Sequence, residues 1–197
     1  MAWDTERTRR LLLEAAVEEF AEHGPEGARV AKIAARAGVN KERIYQYFGD
    51  KQGLFAAVLT DELAKLAAAI PLPADQTPDL VEHAGQLYDY HRAHPHFLRL
   101  LYWEGLQRDA TVQAGPERAG HYADKVASIA EAQRRGEVTG EIAPEFLLYS
   151  VAALAAWWFA SPHVTRMILG PAADDPQAQR VALVTLVDRI QRNKPDH

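Results

Sequence analysis

The stretch His23–Phe55, HGPEGARVAKIAARAGVNKERIYQYFGDKQGLF, decides the reading of this chain. It holds two short helical patterns on either side of a tight break at Gly38-Val39-Asn40, and a third helix opens at Lys51. In the first pattern Val30, Ile33, Ala34 and Ala37 recur at i, i+3, i+4, i+7 and form one apolar stripe. In the second, Ile44 and Phe48 face inward, while Glu42, Arg43, Gln46 and Tyr47 occupy the opposite arc. Tyr45 borders the core face, and the sequence leaves open which way it turns. Two helices joined by a short Gly-containing turn form a helix-turn-helix, whose second helix enters the DNA major groove. Arg pairs bidentately with a guanine edge and Gln with an adenine edge, so Arg43 and Gln46 are the candidate base readers.

Working outward, the same segment resembles the TetR family of one-component transcriptional regulators. The resemblance rests on His23-Gly24, Val30, Ile33-Ala34, Ala37-Gly38-Val39, Lys41, Ile44-Tyr45, Tyr47-Phe48, Lys51 and Leu54-Phe55, about the first quarter of the chain. It implies that Tyr47 and Lys51 hold backbone phosphates, contacts that position a reading helix without carrying sequence information. Two departures stand out. The family usually caps the helix near Val30 with Thr or Ser, where this chain has Ala28-Arg29, which puts one phosphate contact in doubt. Small residues are common early in its reading helix, where this chain has Glu42 and Arg43, which points to a distinct operator.

The net charge of −5 argues against nucleic acid until its distribution is considered. From Arg29 to Gly53 the basic residues are Arg29, Lys32, Arg36, Lys41, Arg43 and Lys51, against Glu42 and Asp50, a local balance of +4. Such a patch sets a DNA footprint more than the whole-chain charge does. The 197 residues are ample for a buried core, and 48% hydrophobic content with mixed charges is that of a soluble globular chain. No cysteine is present, which excludes disulfides and thiolate metal sites and suits a reducing cytoplasm. Met1-Ala2-Trp3-Asp4 runs into a charged helix with no basic-then-apolar leader.

The fold class expected is all-α. Asp4 or Thr5 can cap a first helix with Leu11, Leu12, Ala15, Ala16 and Phe20 inward, ended at Gly24. Asp50 caps a helix with Phe55, Leu59, Leu63, Leu66 and Ile70 in one stripe, stopped by Pro71 and Pro73. This gives a helix-turn-helix domain over 1–50, a connecting helix over 51–70 and a helical second domain over 71–197. Within the last, helices are expected at about Pro78–His94, Pro95–Arg108, Pro116–Arg135, Pro144–Ser161 and Pro176–Arg192, each beginning at or beside a proline. The run FLLYSVAALAAWWFA, Phe146–Ala160, is uncharged but too short for a membrane span, which needs about 20 apolar residues, so it reads as a buried or interface helix. With the helix carrying Val184, Leu186, Val187 and Ile190 it offers a surface for a homodimer, as the resemblance also implies.

Three further groups carry possible chemistry. His91, His94 and His96 flank Pro95, which breaks metal-ligand spacing, and no carboxylate or thiol completes a set, so they read as solvated turn residues and no metal is expected. The second domain is rich in aromatics: Tyr88, Phe97, Tyr102, Trp103, Tyr122, Trp157, Trp158 and Phe159. Most are expected to be core, but apolar and aromatic walls with a few polar groups also make pockets. The resemblance implies an inducer site in this domain. Tyr88, His91, Phe97, Leu101, Trp103, Glu104, Tyr122 and Trp157 are the candidate lining, with His91, Glu104 or Tyr122 as polar anchors. An apolar or aromatic effector is expected, because the uncharged Phe146–Ala160 helix offers no partner for a buried charge. Enzyme signatures are missing: there is no G-x-S-x-G elbow, phosphate-binding Gly loop, H-E-x-x-H helix or dinucleotide fingerprint.

The reading is therefore a non-enzymatic, cofactor-free regulator of double-stranded operator DNA, a homodimer released by a small ligand. Its rivals are an activator on the same fold and an all-α ligand-binding or interaction module with a purely structural helix-turn-helix.

Overall fold

The computed structural model describes residues 2–71, 78–107 and 115–192, and among these there are ten α-helices and no strand. They are α1 (Ala2–Gly27), α2 (Val30–Ala37), α3 (Glu42–Phe48), α4 (Lys51–Ala69), α5 (Leu80–Ala93), α6 (Pro95–Gly105), α7 (Gly115–Arg134), α8 (Pro144–Ala160), α9 (Pro162–Leu169) and α10 (Pro176–Gln191). A 3-10 segment, Gly170–Asp174, joins α9 to α10. The helices form two compact units. The first holds α1–α3, most of α4, and α6; the second holds α5 and α7–α10. Chain order and unit order therefore differ. The break at His94, outside helical backbone at φ −126° and ψ 66°, is where the chain passes from the second unit back to the first.

The first unit closes around Leu12, Ala16, Phe20, Ile33, Ile44, Leu54, Phe55, Leu59 and Leu100, with Phe20 and Phe55 edge to face at 5.2 Å. The apolar stripes of α1, α2 and α4 meet there as their periodicity requires. One sequence expectation needs correction: the first helix starts at Ala2, so Asp4 and Thr5 lie inside it and not ahead of it. Its regular course breaks at Gly24 as expected, where φ 66° and ψ 173° kink the chain before a further turn through Pro25 to Gly27. Asp50 does cap α4, its Oδ1 accepting the Gly53 N–H at 2.7 Å.

Glu62 on α4 is a buried carboxylate, 2% exposed, that accepts from His96 Nε2 at 2.8 Å and Lys65 Nζ at 2.6 Å. Burial alone would raise its pKa, but these two donors outweigh it and hold the acid below its ordinary value. The pairing ties α6 to α4. Further along α6, Arg99 Nε donates to the Ala21 carbonyl at 2.7 Å and Trp103 Nε1 to the same oxygen at 3.3 Å. Donors at that end of α1 satisfy a carbonyl freed by the kink and favour the negative pole of the helix.

In the second unit α5 packs on α8 and α10, and α7 on α8. Leu80, Ala84, Tyr88, Ile129, Leu147, Val151, Ala155, Leu183 and Val187 are buried there. Asp79 caps α5 and Asp175 caps α10, each accepting two backbone N–H bonds at 3.0 Å. Pro144 and Pro176 occupy the first helical turn, as expected. The link around Pro73 lies outside the described residues. The sequence pattern predicts no element between Ser161 and Pro176, where α9 and the 3-10 segment stand at 91° to α8. Among the described residues no single helix is long and apolar enough to cross a membrane.

Candidate functional site

Arg29 is the N-cap of α2 and gives that helix no side-chain hydrogen bond. Glu19 of α1, 3% exposed, supplies the carboxylate instead: its Oε1 accepts the Arg29 N–H at 3.2 Å and its Oε2 meets Lys32 Nζ at 2.8 Å. Burial pushes the Glu19 acid up, yet the Lys32 and Arg29 hydrogen bonds prevail and keep it below its ordinary value. A buried acid on a neighbouring helix thus takes the N-cap N–H, the bond that the N3 Glu or Gln of a capping box would make, and puts negative charge at the start of α2.

The turn is fixed by Gly38, left-handed at φ 67° and ψ 27°, with Val39 N–H returning to Ala34 O at 3.1 Å. Ile44 anchors α3 in the core, and Glu42, Arg43, Tyr45 and Gln46 are exposed. Tyr45 is 51% exposed, which settles the orientation that the sequence left open. Tyr47 and Phe48 are half-buried, and Arg9 lies over the Phe48 ring at 5.5 Å. On the exposed arc Arg43 Nη1 donates to Gln46 Oε1 at 2.9 Å. That bond aligns the two exposed side chains side by side.

The basic patch is less free than its sequence suggests. Lys32 is committed to Glu19 and Arg36 to Glu18. Lys51 Nζ donates to the Glu26 carbonyl at 2.7 Å and approaches the Ala28 carbonyl at 3.4 Å, clamping the entry to α2. Arg29 and Lys41, the latter at the N-cap of α3, are exposed and make no ion pair among the described residues. They and Arg43 are the cations of this stretch that stay exposed without an ion pair among the described residues.

In the second unit a cavity of about 220 Å³ opens between α5, α8, α9, the 3-10 segment and the start of α10. Tyr88, Trp158 and Phe159 form its aromatic wall, and Arg92, Arg166 and Gln179 are among its polar lining. Of the residues expected to hold a ligand, Tyr88 lines it. His91 is buried beside Phe159, ring centres 6.2 Å apart, without lining the cavity. Trp157 and Tyr122 are exposed at 59% and 52%. Phe97, Leu101, Trp103 and Glu104 belong to α6, in the first unit, where Phe97 is buried and Trp103 bonds Ala21. The packing phase of α8 selects Trp158 and Phe159: from the buried Leu148, Val151 and Ala155, helical steps reach 158 and 159, not 157, and the uncharged run carries no local sign of that phase.

Of the histidine group, His91 is buried, contrary to expectation, while His94 and His96 are partly exposed. His91 is 4% exposed, and burial with His94 nearby pushes its pKa down to about 4. His94 contacts the Tyr90 carbonyl at 3.0 Å, and His96 is taken by Glu62. Each ring has its own contact.

With this geometry in place, comparison with known proteins is direct. The family model described as bacterial regulatory proteins, tetR family, matches residues 12–58, and that of the tetracyclin repressor-like C-terminal domain matches residues 79–189. The HTH-type transcriptional repressor SCO4008 of Streptomyces coelicolor is 42% identical over 170 residues, 86% of this chain and 87% of that one. The HTH-type transcriptional repressor NicS of Pseudomonas putida is 29% identical over 199 residues, 97% of this chain and 94% of its own. The crystal structure of SCO4942 from Streptomyces coelicolor superposes with a TM-score of 0.80 at 35% identity, over 93% of this chain and 98% of that one. Two family models that match residues 12–58 and 79–189 in turn, with a relative 42% identical over 86% of the chain, show that the chain belongs to the TetR family of DNA-binding transcriptional regulators.

Proposed function

We propose that this regulator is a repressor that binds an inverted-repeat operator as a homodimer and lets go when a small effector enters its second unit. The observation that carries the reading is the exposed α3 arc, on which Arg43 and Gln46 stand joined at 2.9 Å beside the free cations Arg29 and Lys41. SCO4008 and NicS are transcriptional repressors, and that role is carried over from them.

Dimerisation is supported by apolar side chains that one subunit leaves uncovered. Phe146, Tyr149 and Trp157 on α8 are 64%, 73% and 59% exposed, and Val181 and Leu186 on α10 are 51% and 48% exposed. Such a surface is more than scattered apolar exposure and fits a self-complementary contact about a two-fold axis. Two reading helices related by that axis would meet half-sites about 34–36 Å apart. A cytoplasmic location goes with this role.

Release requires an effector that binds more tightly to a state poorly spaced for the operator, so effector and DNA weaken each other by one common factor. Selection of bound duplexes from a random pool, with sedimentation of the purified protein, tests the reading. An inverted repeat and a dimer are expected. An asymmetric single site bound by a monomer would refute it, and DNA binding without salt dependence would remove the operator altogether.

A further inference from the structure

We propose that the cavity of the second unit is a site for a small aromatic carboxylate, with Arg92 and Arg166 as charge anchors and Trp158 and Phe159 as the ring wall. The regulatory meaning of this site rests on the effector-released reading above; the binding itself does not.

Size comes first. A space of about 220 Å³ exceeds the ~150 Å³ that holds benzene and falls below the ~300 Å³ typical of pockets for larger organic ligands. One ring with a short polar arm fits. The wall suits a ring, since Tyr88 packs on Phe159 at 5.2 Å and edge-on to Trp158 at 6.4 Å. It is also rigid. Tyr88 is 1% exposed and its hydroxyl donates to Gln179 Oε1 at 2.7 Å, while Gln179 Nε2 donates to the Ala173 carbonyl at 2.7 Å. These polar groups are occupied with one another.

What remains is an excess of donors. Arg92, in the last turn of α5, makes no hydrogen bond or ion pair among the described residues. Trp158 Nε1 is buried with no acceptor among them. Arg166 faces Asp174 across 3.8 Å, a long contact between two side chains that are mostly exposed. Asp174 is the one carboxylate on the lining, against two guanidiniums. A buried donor without an acceptor is costly, and a carboxylate is the ligand group that accepts several donors at once. A cationic ligand would instead meet two positive groups. The expectation of an uncharged effector came from α8, which indeed brings no charge. The charges come from α5 and from α9, the helix that the sequence reading did not see.

The test uses the full-length protein and calorimetric titration with phenylacetate, benzoate and indole-3-acetate, each beside its primary amide and corresponding amine. We expect at least one acid to bind about tenfold or more tightly than its amide, the range of a charge-assisted hydrogen bond. That preference should vanish in Arg92→Gln/Arg166→Gln and survive in part in Arg92→Lys, with far-ultraviolet circular dichroism confirming the fold of each. Trp158→Phe, which keeps the ring and removes the N–H, should weaken the acids more than the amides. The proposal is overturned if no acid binds, if amides or amines bind as well as acids, or if the preference survives loss of both guanidiniums. Operator titrations separate the two readings. An acid that depends on the arginines but leaves DNA affinity unchanged upholds the site and refutes release. An acid that releases DNA equally well in the double variant upholds release and refutes the site.

Discussion

Replacing Gly24 with alanine tests how the reading head is held at its base. Gly24 stands at φ 66° and ψ 173°, a region that is essentially glycine-only, and holding another residue there costs about 1–3 kcal/mol. A Cβ at this position would lie 2.7 Å from both Cδ2 and Cε3 of Trp103, where carbon pairs prefer about 3.5–4.0 Å. The indole cannot simply swing aside, because its N–H is bonded to the Ala21 carbonyl. Overpacking of this kind costs about 1–3 kcal/mol more, so Gly24→Ala should destabilise by about 2–6 kcal/mol. In a chain of this length that is a fall in Tm of roughly 4–24 °C. Urea titrations of Gly24→Ala, Trp103→Ala and the double variant separate the two parts. With the indole gone, the glycine substitution should retain only its backbone cost of about 1–3 kcal/mol. An equal penalty in both backgrounds would refute the steric part. A loss below about 0.5 kcal/mol in the wild-type background would refute the whole argument.

Three further outcomes follow from the geometry. Arg43→Ala and Gln46→Ala should each relax preference at particular base pairs by about 1–3 kcal/mol, read from matched and mismatched duplexes; equal losses on every duplex would contradict their role as readers. Lys51→Ala, which releases the Glu26 and Ala28 carbonyls, should cost about 1–2 kcal/mol of stability and weaken all duplexes alike, and an altered base preference would count against the clamp. Stability should also fall with acidity in two stages. His83 and His91 are pushed down to about 4 by burial, with Lys125 near the first and His94 near the second, so the unfolded chain takes up protons before the folded one does. Their contribution is complete above about 6.5 and drains as pH drops toward 4. Glu19 and Glu62, held below the ordinary 4.5, add a loss at still lower pH. Urea midpoints across this range should decline less steeply in His83→Gln, and an unchanged slope would refute the assignment for His83.

The reading head was legible because its information is local. Helical periodicity, a left-handed Gly38 and Ile44 at the inward phase are all properties of neighbours in sequence. The second unit was legible as helices, since Pro144 and Pro176 mark their starts, but not as a site. Which of Trp157 and Trp158 faces inward depends on packing phase, and the adjacent pair has no local feature to decide it. The stretch from Pro162 to Asp174 was missed for another reason: one eight-residue helix between prolines has too few turns to establish a period. The commitment of Lys32, Arg36 and Lys51 to acids and carbonyls is likewise a tertiary fact, and a count of charges along the chain overstates the patch available to DNA.

Regulators of this kind invite the construction of chimaeras in which one protein's DNA specificity is grafted onto another's sensor, and the natural cut falls after α4. Here that cut would be damaging. Leu100 of α6 is fully buried in the core of the head, Arg99 and Trp103 hold the end of α1, and His96 holds Glu62. A transplant ending at α4 would leave an empty slot where Leu100 sat, with a Leu-sized cavity costing about 2–5 kcal/mol, and would strand the Glu62 carboxylate without its imidazole. A functional graft must carry residues 95–105 as a second insert, so specificity and sensing in this chain can be exchanged only as interleaved segments.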